Sequence, residues 1–259
     1  MNFNVIIPAR YSSERLPGKP LKDLNGKPVI RRVYDQAVKS SAKRVIIATD
    51  DERIASIANQ FGAEVCLTHA HHLSGTDRLQ EVVENLCFAE EEIIVNVQGD
   101  EPFIPPANID QLAAELASAK REIAMTTLYT PITQVEEIFS PDVVKVVTDK
   151  TGNALYFSRA PLPWDRKSFS QTEKQLPAHS PYKRHIGIYA YRAEQLNAFV
   201  RWEKSPLEMA EQLEQLRFLW NGHKIRVIQA QQIPPAGIDT KEDLEQARRR
   251  LTQSKKLTV

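Results

Sequence analysis

The stretch IIPARYSSERLPGK (Ile6–Lys19) is the most informative part of this chain. An apolar run ends at Pro8, and the loop that follows carries three cations, Arg10, Arg15 and Lys19, with a single acidic residue among them. In open α/β sheets, ligands bind just outside the carboxyl ends of the strands. Arginine makes bidentate contacts with phosphate and lysine supplies a mobile charge. The stretch therefore predicts a first strand and a polyphosphate-binding loop, with a solvated basic loop as the alternative.

Strand and helix patterns alternate through about the first hundred residues. Arg44–Thr49 and Ile93–Val97 are apolar runs typical of buried strands, whereas residues 28–39 and 77–86 carry apolar side chains at helical spacing. Such alternation requires parallel crossovers. Later predicted strands follow one another with little helix between them, before helices at 207–220 and at the end of the chain. We therefore predict an α/β, doubly wound, Rossmann-like nucleotide half with an inserted β-rich lobe.

Composition limits the possible partners. The formal net charge of the 259 residues is +1, which gives no support for a nucleic-acid or acidic-surface partner. No apolar run approaches the ~20 residues that span a bilayer, and no secretory leader pattern is visible. Cys66 and Cys87 lack metal-type spacing and fit reduced core thiols. We expect a cytoplasmic protein with local anion binding.

A second motif, NVQGDEP (Asn96–Pro102), places an acid just after a buried strand. Gly99 permits a close backbone approach or an unusual φ. Asp100 would lie near the basic loop if the two strands are neighbours, and a divalent cation bound to phosphates needs only one or two carboxylates. The alternative is a turn in which Asp100 binds local amides.

A third motif, SGTDR (Ser74–Arg78), exposes small donors at the start of a helix. Such a position suits an anion or the edge of a base. Arg78 projects from the first helical turn, where it is either a ligand contact or a surface ion-pair partner. The nearby His69, His71 and His72 fit loop histidines without a metal better than ligands, because adjacent histidines do not easily converge.

Weaker signals lie further along the chain. Asp239 precedes the final helix and reads first as an N-cap, and only the other motifs suggest that it faces the same site as Asp100. Strand alternation puts His185 and Tyr189 on one face. Glu214 belongs to a charged helix pattern that is typical of a solvated face.

Together these motifs resemble the 3-deoxy-D-manno-octulosonate (KDO) cytidylyltransferase family over nearly the whole chain and in order. Motifs related to the N-terminal one occur in other sugar nucleotidyltransferases, and the later segments point to the KDO family among them. The insert at 164–181 has no matching motif. The matching segments are IPARYSS (7–13), RLPGKP (15–20), ATDD (48–51), SGTDR (74–78), NVQGDEP (96–102), YFSR (156–159), RHIGIY (184–189), SPLE (205–208), LEQLR (213–217) and GIDT (237–240).

The resemblance implies a nucleotide-diphospho-sugar transferase fold. Residues 1–125 with 225–259 would form the nucleotide-binding part, and residues 126–224 the sugar-binding and dimerisation lobe. The implied activity is transfer of CMP from CTP to the anomeric hydroxyl of KDO. The products would be pyrophosphate and CMP-KDO for lipopolysaccharide biosynthesis, made by a homodimer.

The resemblance also implies the roles of individual residues. The expected catalytic set is Lys19, Arg10, Asp100 and Asp239, with Mg²⁺ held by the two aspartates. The expected nucleotide contacts are Ala9, Arg10, Ser13, Arg15, Lys19, Ser74 and Gly75. The expected sugar contacts are Arg78, Gln98, Arg159, His185, Tyr189, Glu214 and Gln215.

Two alternatives stay open at this point. One is a cytidylyltransferase for another 2-keto sugar acid, such as 8-amino-KDO or a sialic acid. The other is a non-catalytic nucleotide-binding regulator on the same fold, since a fold does not fix function. Lys19 together with both Asp100 and Asp239 argues against the regulator. No side chain stands out as a general base.

Overall fold

The computed structural model describes residues 2–13, 15–72, 74–171, 174–177 and 180–256. Four residues of the 164–181 insert, 172–173 and 178–179, therefore lie outside the described residues, as does the acid of the basic loop, Glu14. Within the described residues, no helix is long and apolar enough to cross a membrane.

The described part of the chain contains nine strands and nine α-helices. The strands are β1 (Phe3–Ala9), β2 (Arg44–Thr49), β3 (Glu64–Leu67), β4 (Ile93–Asn96), β5 (Ile123–Pro131), β6 (Lys145–Thr148), β7 (Ala154–Ser158), β8 (Lys183–Arg192) and β9 (Lys224–Gln229). The helices are α1 (Val29–Ala37), α2 (Glu52–Gln60), α3 (Gly75–Asn85), α4 (Pro106–Ser118), α5 (Val135–Phe139), α6 (Ala193–Phe199), α7 (Pro206–Glu211), α8 (Leu216–Trp220) and α9 (Lys241–Lys256). A single 3-10 turn covers Lys19–Leu21.

One mixed sheet organises the molecule, in the strand order β3-β2-β1-β4-β8-β5-β9. Strand β1 pairs in parallel with both β2 and β4. The carboxyl ends of these strands therefore meet at one edge, where ligands bind in open α/β sheets. This confirms the predicted α/β class and the expected closeness of the basic loop to Asp100.

The strands of the second half of the chain belong to the same sheet. Strand β8 lies antiparallel between β4 and β5, and β9 pairs in parallel with β5. The β6–β7 hairpin attaches to β8 through a pairing of Lys145 with Arg184. The assignment of a nucleotide role to 1–125 with 225–259, and of a sugar and dimer role to 126–224, stays a prediction.

Two apolar layers cover the faces of the sheet. Phe3, Val5 and Ile7 of β1 pack into one layer with residues of α1, α2, α4 and α9. Ile6 points into the opposite layer, which contains residues of α3, α6 and α8. Burial on both faces explains why the central strands read as continuous apolar runs rather than alternating ones.

The helix predicted over 207–220 is wrong in one respect, because it is two short helices. Helix α7 ends at Glu211, its C-cap Gln212 has a left-handed φ of 54°, and α8 begins at Leu216. The break lets the Arg217 guanidinium reach the Glu208 carboxylate, with Nε to Oε2 at 2.7 Å and both side chains buried. Nine residues along one helix would separate them by roughly 13 Å. The break also places Glu214 and Gln215 in a turn. Helices α4, α5 and α6 had no counterpart among the predicted elements.

Candidate active site

A lysine bridges two carboxylates at the carboxyl edge of the sheet. Lys19 Nζ lies 2.7 Å from Asp100 Oδ2 and 3.0 Å from Asp239 Oδ1. The Lys19 side chain is only 14% exposed. Burial lowers its pKa, but the charges and hydrogen bonds of the two aspartates outweigh burial, and the net pKa is raised. Lys19 is therefore a fixed ammonium ion at neutral pH.

Asp239 reaches this cluster because the segment before α9 docks on the segment after β4. The amide of Ile238 donates to the carbonyl of Asp100 at 2.8 Å. A Cβ on Gly237 would lie 3.0 Å from Glu101 Oε1, so glycine permits the approach. The N-cap of α9 is Thr240, whose Oγ1 accepts the amide of Asp243 at 3.2 Å. The reading of Asp239 as a simple N-cap is thus wrong.

Gly99 supplies the close approach that the sequence predicts. A Cβ on Gly99 would lie 2.6 Å from the carbonyl oxygen of Pro8, closer than real Cβ contacts come. The absence of a side chain therefore sets the spacing between the loop after β1 and the loop after β4. That spacing brings Lys19 to Asp100.

A backbone hydrogen bond between Gly18 and Tyr11 joins the two ends of the basic loop. The carbonyl of Tyr11 accepts the amide of Gly18 at 3.1 Å, and Gly18 has a left-handed φ of 68°. The Arg53 guanidinium carbon lies 3.3 Å from the centroid of the Tyr11 ring, a cation–π contact. These contacts fix the two ends of the segment that carries Arg15.

The loop lines a cavity of about 450 Å³, which we call the first cavity. Arg78 also lines it, with a buried guanidinium 3.1 Å from Asp50 Oδ1 and hydrogen-bonded to Thr68. The Arg78 side chain is only 4% exposed, so the reading of Arg78 as a surface ion-pair partner is wrong. The predicted site residues that line the first cavity are Ala9, Arg10, Ser13, Arg15, Lys19, Ser74, Gly75, Arg78, Gln98, Asp100, Glu214 and Asp239.

A second cavity of about 310 Å³ adjoins the first and shares Gly75, Gln98, Asp100 and Glu214 with it. The Glu214 carboxylate accepts a hydrogen bond from Thr76 Oγ1 at 2.7 Å, and burial raises its pKa. Within the described residues, two buried atoms at this cavity have no hydrogen-bond partner, Asn96 Oδ1 and Gln215 Nε2. The other polar residues of the lining are Thr76, Tyr189, Tyr191 and Gln212.

Two predicted sugar contacts lie outside the linings of both cavities. Arg159 donates through Nε to the carbonyl of Glu211 at 2.8 Å and through Nη1 to that of Pro141 at 2.9 Å. The His185 ring is hydrogen-bonded to Thr127 Oγ1 at 3.0 Å, and burial lowers its pKa to about 3, so the imidazole is neutral. Direct sugar contacts by Arg159 and His185 stay predictions.

Tyr191, Asn96 and His72 are among the lining residues that are missing from the predicted site. Tyr191 follows Tyr189 at the two-residue spacing of a strand, and the same alternation that selected Tyr189 would have found it. Asn96 pairs with Tyr189 across β4 and β8, a contact that only topology reveals. His72 lines the first cavity and is hydrogen-bonded to Glu81. The described residues contain no group of three or more His, Cys, Asp or Glu that could hold a metal ion.

The donor set around Lys19 fits a hard divalent cation shared with a substrate. Two carboxylates, Asp100 and Asp239, point at one position, and such a pair suffices for Mg²⁺ when phosphates supply further oxygens. Burial raises the pKa of the neighbouring Glu101 to about 8, and the charges of Asp100 and Asp239 add to the shift. At neutral pH Glu101 is therefore mainly protonated, and the Asp100 and Asp239 carboxylates are paired with Lys19 and, at Asp239, also with Arg15 at 3.0 Å.

Known proteins are similar to this chain over most of its length. A cytidylyltransferase family model matches residues 4–225. A 3-deoxy-manno-octulosonate cytidylyltransferase of Pseudomonas syringae pv. syringae is 58% identical over 96% of this chain and 98% of its own length. The enzyme of that name from Pasteurella multocida is 55% identical over 95% and 97%, respectively.

Solved structures give the same result. A structure of CMP:2-keto-3-deoxy-manno-octonic acid synthetase complexed with CTP matches with a TM-score of 0.88 and 38% identity, covering 98% of this chain and 99% of that one. A nucleotidyl transferase from Methanothermobacter thermautotroptrophicus matches with a TM-score of 0.62 at 13% identity over 97% and 98%, which shows the fold alone. On these grounds, the chain belongs to the 3-deoxy-manno-octulosonate cytidylyltransferase family.

Proposed function

We propose that this chain transfers CMP from CTP to the anomeric hydroxyl of KDO, releasing pyrophosphate. One observation carries the proposal: the Lys19–Asp100–Asp239 cluster lies where the two cavities meet. Asp100 lines both cavities, whereas Lys19 and Asp239 line only the first. The cluster can therefore act on a bond formed between a ligand in each cavity.

The first cavity suits the triphosphate of CTP. Arg10, Arg15 and Lys19 line it and supply three positive charges against the oxygens of the phosphates. Ser74 and Gly75 begin α3, whose N-terminal amides and small side chains suit a polar ligand. A relative with 38% identity is known in complex with CTP, which supports the same ligand here.

The second cavity suits a polyhydroxylated sugar acid. Its polar side chains are amides, phenols, the Thr76 hydroxyl and two carboxyl groups, those of Asp100 and Glu214, and Glu214 accepts a hydrogen bond from Thr76. The lining also includes the unpartnered Asn96 Oδ1 and Gln215 Nε2. Sugar hydroxyls both donate and accept hydrogen bonds, so they can satisfy buried atoms of either kind. Arg78, on the neighbouring wall of the first cavity, offers a bidentate partner for the carboxylate of the sugar acid.

The reaction then depends on positioning and charge. The anomeric hydroxyl attacks the α-phosphorus of CTP and loses its proton to solvent water, the bond between the α-phosphorus and the oxygen that bridges to the β-phosphate breaks, and pyrophosphate leaves. Lys19, Arg10 and Arg15 stabilise the charge that builds on the phosphoryl oxygens and on the leaving group. Holding both substrates in adjoining cavities replaces a bimolecular encounter with an oriented one. No described side chain is assigned as a general base.

Mg²⁺ belongs to this proposal, with Asp100 and Asp239 as the residues that would hold it. When bound, the ion would supply Lewis-acid polarisation of phosphoryl and hydroxyl oxygens. The support is the fit of the donor set. A homodimer, a cytoplasmic location and a role in lipopolysaccharide biosynthesis are proposed on the family resemblance. Sedimentation of the purified protein tests the dimer.

A pyrophosphate-release assay with CTP, Mg²⁺ and a panel of sugar acids tests the proposed function. We expect release with KDO, and less with 8-amino-KDO or sialic acid; the names of the 55–58% identical relatives favour KDO over both. A preference for either analogue would contradict the substrate assignment. No release with any sugar acid, from protein that still binds CTP, would favour the non-catalytic regulator.

A further inference from the structure

We propose that Asp243 is a positioning residue for nucleotidyl transfer, and that its carboxylate fixes the backbone turn that presents Asp239 to Lys19. The inference rests on the proposed function, because it assigns Asp243 a task in that reaction. Asp243 lies in the first turn of α9, outside the linings of the two cavities at Asp100.

One oxygen of Asp243 collects three hydrogen bonds. Asp243 Oδ2 accepts from the amide of Asp239 at 3.0 Å, from the amide of Thr240 at 2.8 Å and from Thr240 Oγ1 at 2.9 Å. In return, Thr240 Oγ1 accepts the amide of Asp243 at 3.2 Å. The exchange between Thr240 and Asp243 is a capping box, which an acid three residues after the N-cap makes possible.

The bond to Asp239 goes beyond helix capping. A capping box ties the N-cap residue to the third helical residue, as Ser205 and Glu208 do at the start of α7. Asp243 additionally holds the amide of the residue before the N-cap, and that residue carries the carboxylate of the reaction centre. The N-terminus of a helix does not need this bond to be capped, so we infer that the bond orients Asp239.

Asp239 depends on its backbone for its position. Its side chain is 48% exposed, and its partners are the side-chain ends of Lys19 and Arg15, at 3.0 Å each. The main chain is fixed on one side by the Ile238 amide on the Asp100 carbonyl and on the other side by Asp243. Without Asp243, the second anchor is lost and the carboxylate can rotate away from Asp100. Outer partners of this kind typically change activity or metal affinity by about 10–100-fold.

The test compares Asp243→Ala and Asp243→Asn with a matched control, Glu242→Ala. Glu242 is an exposed acid in the same first helical turn, so its removal changes the charge near the helix dipole without touching the turn. We measure pyrophosphate release with CTP and KDO against Mg²⁺ concentration, the thermal midpoint, and amide hydrogen exchange of residues 237–243. All rates are taken well below the thermal midpoint.

For Asp243→Ala we expect a kcat lowered by roughly tenfold or more, a higher Mg²⁺ concentration for half-activation, and faster exchange of the Asp239 and Thr240 amides. Asp243→Asn keeps one acceptor oxygen and should fall between Asp243→Ala and wild type; it also serves if the alanine variant fails to fold. Glu242→Ala should match wild type in all three measurements. A lower thermal midpoint with unchanged kcat and Mg²⁺ dependence would mean that Asp243 only caps the helix, and would overturn the proposal.

The exchange measurement needs no turnover, which separates this inference from the proposed function. If the wild-type protein released no pyrophosphate, the proposed function would fail and Asp243 would have no catalytic task. Unchanged exchange at Asp239 and Thr240 in an active Asp243→Ala variant would refute the positioning role alone.

Discussion

Replacing Gly99 by alanine tests how the two loops of the reaction centre are spaced. The added Cβ would lie 2.6 Å from the carbonyl oxygen of Pro8, which is backbone and cannot rotate out of the way. Carbon–oxygen contacts of this type settle near 3.3 Å, so the loop after β4 must move by about 0.7 Å relative to β1. Asp100 follows Gly99 directly and would move with it, away from Lys19.

The expected loss can be estimated from that displacement. A misplacement of about 1 Å at a reaction centre can cost roughly 100-fold in rate, so we expect kcat/KM of Gly99→Ala to fall by about that factor. Overpacking should also lower the free energy of unfolding by about 1–3 kcal/mol. The matched steric control for stability is Gly187→Ala, since a Cβ there meets nothing within 4 Å.

Steady-state pyrophosphate release gives kcat/KM, and urea titration gives the free energy of unfolding. Gly187→Ala should unfold at the same urea concentration as the wild-type protein, whereas Gly99→Ala should unfold earlier. A Gly99→Ala variant with wild-type kcat/KM and wild-type stability would refute the reasoning, because it would show that the close approach to Pro8 is not required.

Three further predictions concern single side chains. Lys19→Met should lower kcat/KM by about 100–1000-fold in the same assay, since it removes a buried charge beside the phosphates; normal turnover would remove Lys19 from its proposed role. Burial lowers the pKa of His185 to about 3, so between pH 6.5 and pH 3 the unfolded chain takes up a proton that the folded protein does not. The free energy of unfolding therefore falls as the pH drops, by up to about 1.4 kcal/mol per pH unit. Urea titrations from pH 7 to pH 4 should show that the free energy of unfolding of His185→Gln depends less steeply on pH than that of the wild-type protein. An unchanged pH dependence would contradict the assignment of His185 as a buried, neutral imidazole. Glu208→Gln should lower the free energy of unfolding by about 3–5 kcal/mol because it leaves Arg217 buried without its charge partner. Glu122→Gln, in the exposed pair with Lys224, should change it far less, and equal costs of the two substitutions in urea titrations would contradict this reading.

Local patterns in the sequence predict much of the central architecture. The apolar runs of β1, β2 and β4 are buried on both faces, and their alternation with α1, α2 and α3 leaves parallel pairing as the simple solution. The cations of the basic loop and Asp100 then fall at one edge of the sheet. The role of Gly99 is predictable for the same reason, since a glycine directly before an acid at the end of a strand indicates a close approach between two backbone segments.

Features that depend on distant contacts could not be predicted in this way. Asp239 lies 220 residues from Lys19, and its position follows from the Ile238 bond to the Asp100 carbonyl rather than from a local pattern. The break at Gln212 occurs together with the buried Glu208–Arg217 pair, a contact that the helical pattern in the sequence does not reveal. Because of the same break, Glu214 and Gln215 line the second cavity. Their spacing in the sequence alone is typical of a solvated helix face.

The central claim is that Lys19, Asp100 and Asp239 form the reaction centre for CMP transfer. The most direct test is pyrophosphate release from CTP and KDO by Asp100→Asn, measured beside the wild-type protein with Mg²⁺ and with EDTA. The side chain is partly exposed, so the variant should keep the wild-type thermal midpoint to within a few degrees. We predict that the wild-type protein releases pyrophosphate only with Mg²⁺ and that the folded variant releases none above background. Wild-type turnover by Asp100→Asn would contradict the account.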